Sequence, residues 1–192
     1  MRKRGSWRGN ATIEFTLVGI PLVFVLISTI EMARGMWIYH TLAYAVKEGT
    51  RYVVARGQNN PTGQNNPAPT NQSICNAIAQ AGTGLLPEDL TLTFHSATAK
   101  DTTCTCSSTG SGSTSTSGWP PCQANPWPPG DNLSVIDNQP GQTISITGFY
   151  PFVSAISMFW PGAGPGMTFQ SLTCQGAGTV CLPSASQDVI QF

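Results

Sequence analysis

The chain has 192 residues, of which only 9% are charged, with 20 glycines, 15 prolines and no net charge. A typical soluble domain carries about 25% charged residues, so this sparsely charged, loop-rich composition argues against a cytosolic enzyme. Net neutrality hides an asymmetry: Arg2, Lys3, Arg4 and Arg8 cluster at the start, and no basic residue follows Lys100. Without residues 1–9, five basic side chains stand against nine acidic ones, which leaves no electrostatic footprint for nucleic acid.

The basic cluster leads into an apolar run. Phe15 to Ile30 carry no charge, and as a helix they span about 24 Å, short of the roughly 30 Å hydrocarbon core of a bilayer. Adding Ala11–Glu14 and Glu31–Met32 completes the span, with Glu14 near one interface and Glu31 near the other. The basic residues place the N-terminal side in the cytoplasm and the remainder outside. Pro21 removes the bond to the Leu17 carbonyl and is expected to kink or loosen the helix. Three readings fit this segment: a secretory signal cut near Ala33-Arg34-Gly35, a plain anchor, or a prepilin-type signal cut before the apolar run.

Beyond Glu31 the chain continues without proline through "EMARGMWIYHTLAYAVKEGTRYVVARG". Met32, Met36, Tyr39, Ala43, Val46, Thr50 and Val53 alternate in steps of four and three, which puts them on one helical stripe. Glu31/Arg34 and Glu48/Arg51 stand at i,i+3, close enough to pair. The helix therefore runs to about Arg56, with Gly57 as its stop. A cut at Gly35 would sever that element, which disfavours the secretory reading. Residues 58–72 then form a polar linker, "QNNPTGQNNPAPTNQ", that cannot be buried.

Ser73 to about Ala81 reads as a short helix capped by Asn71 or Ser73, turning Ile74, Ala77, Ile78 and Ala81 inward. Leu90, Leu92 and Phe94 alternate with Thr91, Thr93 and His95 as a half-buried strand, and Ile144 and Ile146 alternate with Thr143, Ser145 and Thr147 as a second. Met167 to Cys174 is a third expected strand. Between the first two lies a Ser/Thr/Gly/Pro-rich insertion, residues 99–131, in which Trp119 and Trp127 are expected to pack back onto their own domain. The implied fold class is α+β: a long N-terminal transmembrane and amphipathic helix, then a small antiparallel sheet domain with a disulfide-stapled loop. In chain order this is a leader (1–9), a membrane helix (10–32), its amphipathic continuation (33–57), the linker, and an exported domain (73–192).

All six cysteines follow the apolar run, which fits an oxidising compartment. Cys174 and Cys181 enclose a short Gly-rich turn and are expected to pair. Cys122 pairs with Cys104 or Cys106, which cannot readily join each other, and Cys75 takes whichever remains. With no Cys-x2-Cys pair and no histidine nearby in sequence, no metal site is expected. His40 and His95 have neither a serine elbow nor paired carboxylates beside them, so neither an enzyme nor a cofactor is expected. Asn71-Gln72-Ser73 and Asn132-Leu133-Ser134 match the glycosylation pattern, but no role is assigned to either.

The stretch "RGNATIEFTLVGIPLVFVLISTIEMARGMWIYHTLAYAVKEGTRYVVARG" resembles the TadE-like family, minor pilins or pseudopilins of bacterial tight-adherence (Flp-type) pilus systems. The shared features are a basic leader, small residues, Glu14-Phe15, an apolar helix, a second acidic residue, and the ending Lys47-Glu48-Gly49-Thr50-Arg51-Tyr52. "PGQTISITGFYPF" (residues 140–152) is a weaker echo of the family, while the insertion and the chain end depart from its pattern. The resemblance implies cleavage by a prepilin peptidase between Gly9 and Asn10, with Glu14 fifth in the mature chain and setting helix register during assembly. It also implies a single pass through the inner membrane, with the N-terminus cytoplasmic and the domain periplasmic or extracellular. The implied partners are other pilins and pilus assembly proteins, with no nucleic acid or small-molecule substrate. The alternative is an uncleaved, membrane-anchored extracytoplasmic binding protein.

Overall fold

A computed structural model describes residues 10–56, 69–97, 100–106, 119–125, 127, 139–153 and 179–191. Helix α1 spans Asn10–Val54 and α2 Asn71–Ala81; a short 3-10 turn at Pro87–Asp89 leads into strands β1 (Thr91–Ser96), β2 (Thr102–Thr105), β3 (Thr143–Val153) and β4 (Thr179–Val189). The strands form one antiparallel sheet in the order β2-β1-β3-β4. This is the expected α+β architecture. The assigned helix runs through Pro21 without a break.

One face of the sheet holds the core. Leu92 stands opposite Gly148, Phe94 opposite Ile146 and Ser96 opposite Ile144, so strand alternation turns these residues toward the helices. Leu42, Ala45, Val46 and Val53 of α1 meet them, with Ile74 and Ile78 of α2, and all are fully buried. The opposite face carries Thr93, whose hydroxyl lies 3.0 Å from that of Thr103 across the strand pair, and His95, whose Nδ1 is 2.5 Å from Asp101 Oδ1.

Two glycines set how closely the elements approach. A Cβ on Gly49 would lie 2.3 Å from Ile78 Cγ1, and one on Gly148 would lie 2.7 Å from Val46 Cγ2. At these distances even a methyl group overlaps its neighbour, so α1 can sit this near α2 and β3 only with glycine at both points.

The expected helical stripe is only half correct. Val46, Thr50 and Val53 are buried, but Met32 is 72% exposed, Met36 54% and Tyr39 44%. The inward line runs instead through Gly35, where the Phe152 ring packs, then Ile38, Leu42 and Ala45. Apolar residues surround this part of the helix on several sides, so periodicity alone fixes the face poorly.

The start of α2 also differs. Its cap is Thr70, not Asn71 or Ser73: the Ser73 N–H donates to Thr70 Oγ1 at 3.1 Å, and the Thr70 N–H donates to Ser73 Oγ at 2.9 Å. This reciprocal box satisfies two donors at once.

Two strands fall where none was expected. β2 lies inside the insertion and pairs with β1 from Thr91↔Thr105 to Phe94↔Thr102. β4 pairs with β3 over its whole length. The expected strand at Met167–Cys174 lies outside the described residues.

Part of the insertion docks on the domain. The Thr105 N–H donates to the Pro120 carbonyl and the Cys122 N–H to the Thr105 carbonyl, and the Asn71 and Gln72 N–H groups donate to the Asn125 and Gln123 carbonyls. Trp127 is only 4% exposed and packs against Phe94, ring centroids 5.1 Å apart. Cys104 is bonded to Cys122 and Cys75 to Cys106, with Cα separations of 4.9 and 5.4 Å. Cys181 is also disulfide-bonded, while Cys174 lies outside the described residues.

Candidate functional site

The two halves of α1 have different surroundings. From Leu42 onward the helix is a core element. From Thr12 to Ile30 its side chains are mostly uncovered: Phe15 is 77% exposed and Leu17 72%. Apolar surface of this extent on one continuous helix is unfavourable in water. By length and composition the helix can cross a membrane once.

Its hydroxyl groups suit that environment. Thr16 Oγ1 donates to the Ile13 carbonyl at 2.9 Å, and Ser28 and Thr29 donate to the Phe24 and Val25 carbonyls at 2.8 Å each. Each of these three hydroxyls therefore meets a partner within the helix, as a hydrocarbon environment requires. Near Gly19 the surface dips into a shallow apolar groove between Phe15, Thr16, Ile20, Val23 and Phe24.

Glu14 is exposed, one turn after the first helical residue, Asn10. Gly9 lies outside the described residues, so the expected Gly9–Asn10 cleavage point has only its second residue in described structure. At the other end of the run Glu31 pairs with Arg34 at 3.9 Å, and the Arg34 guanidinium lies 5.4 Å from the Phe152 ring centroid. Arg34 thus ties the point where α1 leaves its apolar half to the end of β3, and Glu48 pairs with Arg51 at 3.5 Å one segment later.

The histidines do not form a joint site. His40 stacks edge-on against Tyr39, centroids 5.8 Å apart, and His95 contacts Asp101 on the far face of the sheet. Asp89, in the turn before β1, has its pKa raised by burial and, secondarily, by the charge of Glu88. The two disulfides, Cys104–Cys122 and Cys75–Cys106, are one of the two arrangements left open for these four cysteines, and they draw sulfurs from separate elements together: those of Cys75, Cys106 and Cys122 all lie within 4.8 Å of one another.

Among the described residues, one helix with an uncovered apolar half continues into the core of a small α+β domain, an arrangement that fits a single-pass membrane protein. Residues 9–51 match the family model described as TadE-like protein. That stretch is nearly all of α1, so the resemblance drawn from its residues holds for the segment that carried it. Neither a curated protein nor a solved structure matches the chain.

Proposed function

We propose that this protein is a membrane-inserted minor pilin or pseudopilin that takes part in assembling a tight-adherence (Flp-type) pilus, and so in surface adhesion. The observation that carries the reading is a coincidence of boundaries. The family match ends at Arg51, where α1 is already packed against α2 and the sheet, so it covers both the uncovered half and its junction with the domain. An inner-membrane prepilin peptidase cuts after Gly9, leaving Asn10 as the new N-terminus. The helix waits in lipid and is later transferred into contact with helices of other pilus subunits, which requires a surface acceptable to both environments.

Glu14 has a defined part in this scheme. A carboxylate at the edge of the bilayer is costly unless compensated, and the α-amine released at Asn10 lies one helical turn away, within reach in the same or a neighbouring subunit. That charge pair fixes register between helices. Replacing Glu14 with Ala in the producing cell tests the reading: surface pili and adhesion are expected to fall while the protein level in the membrane stays unchanged. Undiminished pilus assembly would overturn it.

A further inference from the structure

We propose that the reduced form of this domain holds one tetrahedral thiolate-bound Zn2+ at the junction of α2, β2 and the 119–125 segment, on Cys75, Cys104, Cys106 and Cys122. The inference does not rest on the pilus reading, and in the oxidising compartment which that reading implies the disulfide form is the one present. Three of the sulfurs lie within 4.8 Å of one another although they come from a helix, the end of an edge strand and the insertion. Cys104 is brought to the same place by its bond to Cys122. All four residues are buried.

A tetrahedral site with Zn–S bonds of about 2.3 Å separates its sulfurs by roughly 3.8 Å. Ligation of this kind requires the three sulfurs, now within 4.8 Å of one another, to settle at that spacing, and Cys104 to join them once its disulfide to Cys122 opens. Trp127, buried against Phe94 and hydrogen-bonded to the Pro69 carbonyl, ties the insertion to the domain by contacts that do not depend on the disulfides.

Oxidised, the four sulfurs are spent in two disulfides and offer no thiolate. Each disulfide takes up two electrons and two protons, either from a cellular dithiol that becomes a disulfide or, in the test tube, from a phosphine that becomes its oxide with water supplying the oxygen and the protons. The metal then displaces the thiol protons to solvent. Disulfides and metal are thus alternative staples for one junction, chosen by the redox state of the compartment.

The test uses the full chain in detergent micelles, reduced with a phosphine, freed of metal and titrated with Co2+ alone. One equivalent is expected to give the sulfur-to-cobalt charge-transfer and visible bands of a tetrahedral thiolate site, bleached by Zn2+, with the near-ultraviolet circular dichroism of the folded domain retained. The spectrum should vanish in the Cys75→Ser/Cys106→Ser variant and persist in Cys174→Ser/Cys181→Ser. No tetrahedral spectrum from the reduced wild-type chain, or the reverse pattern in the two variants, would overturn the proposal. So would a reduced chain that loses its fold and does not regain it with metal.

Discussion

Gly49 and Gly35 lie on the same helix, and replacing each with alanine gives opposite expected results. Both substitutions gain the same helix-propensity term, about 1 kcal/mol. At Gly35 the added Cβ meets the Phe152 ring at 3.7 Å, an ordinary contact, so Gly35→Ala should stabilise the chain by up to about 1 kcal/mol. At Gly49 it would stand 2.3 and 2.6 Å from Ile78 Cγ1 and Cδ1. Relieving that overlap forces Ile78 off its rotamer or moves α2, at a typical cost of about 1–3 kcal/mol. Gly49→Ala should therefore be less stable than Gly35→Ala by that amount, or roughly 2–12 °C in midpoint at about 2–4 °C per kcal/mol for a chain of this size. Urea titration of the full chain in micelles, disulfides intact, reads the difference. The Ile78→Ala background supplies a double-mutant cycle in which most of the penalty should disappear. If Gly49→Ala matches Gly35→Ala, the close approach of α1 and α2 is not as described.

Further expectations follow from the staples, the docked loop and the turn before β1. The Cys75–Cys106 bond spans 31 residues and Cys104–Cys122 spans 18; loop entropy predicts losses of about 3.7 and 3.2 kcal/mol when each pair is replaced by alanine, measurable as shifts in urea midpoint with the first the larger. Trp127→Ala should cost about 3–5 kcal/mol, because it empties the space beside Phe94, as read by thermal denaturation; an unchanged midpoint with lost adhesion would mark Trp127 as a contact residue instead. Asp89 has a raised pKa in the folded chain, so its penalty is absent below the unfolded value and complete once pH exceeds the folded one. Asp89→Asn should therefore match wild type in acid and be slightly more stable at neutral pH, the gain kept small by solvent screening, as a pH series of urea midpoints would show.

What could be read from the sequence followed the strength of each local pattern. The strand around Leu92 and Phe94, the strand around Ile144 and Ile146, and the helix over Ile74 and Ile78 all carry regular apolar spacing, and each is where it was expected to within a few residues. β4 was missed because "TVCLPSASQDV" has small polar residues and a proline. Yet Ile190 donates its N–H to the Gln142 carbonyl, and counting back by twos along the register makes Ser184 a bonding position and Pro183 an outward one. Pro183 therefore removes no bond to β3, and an edge strand tolerates it. Pro151 is accommodated differently, since it lies beyond the end of β1, whose pairing with β3 stops at Thr91↔Phe149.

β2 was hidden by composition. Thr-Thr-Cys-Thr continues into a Ser/Thr/Gly tract, and only the bonds to β1 and to the 120–122 segment distinguish it. The grouping of Cys75, Cys104, Cys106 and Cys122 was legible because Cys104 and Cys106 are too close in sequence to join each other, but which of them takes Cys122 is decided only where β2 meets α2 and the 120–122 segment. The Gly49 contact was visible only as part of a family-like motif. Its physical cause, Ile78 lying across the helix, needed the tertiary structure.

The most direct test of the pilin reading is the mass of the protein extracted from the membrane of cells that make the whole system. A mature chain beginning at Asn10, lost to the full-length form when Gly9 is replaced by a bulky residue, is the predicted result. An N-terminus at Met1, or one near Met36 that would cut α1 in two, would contradict it.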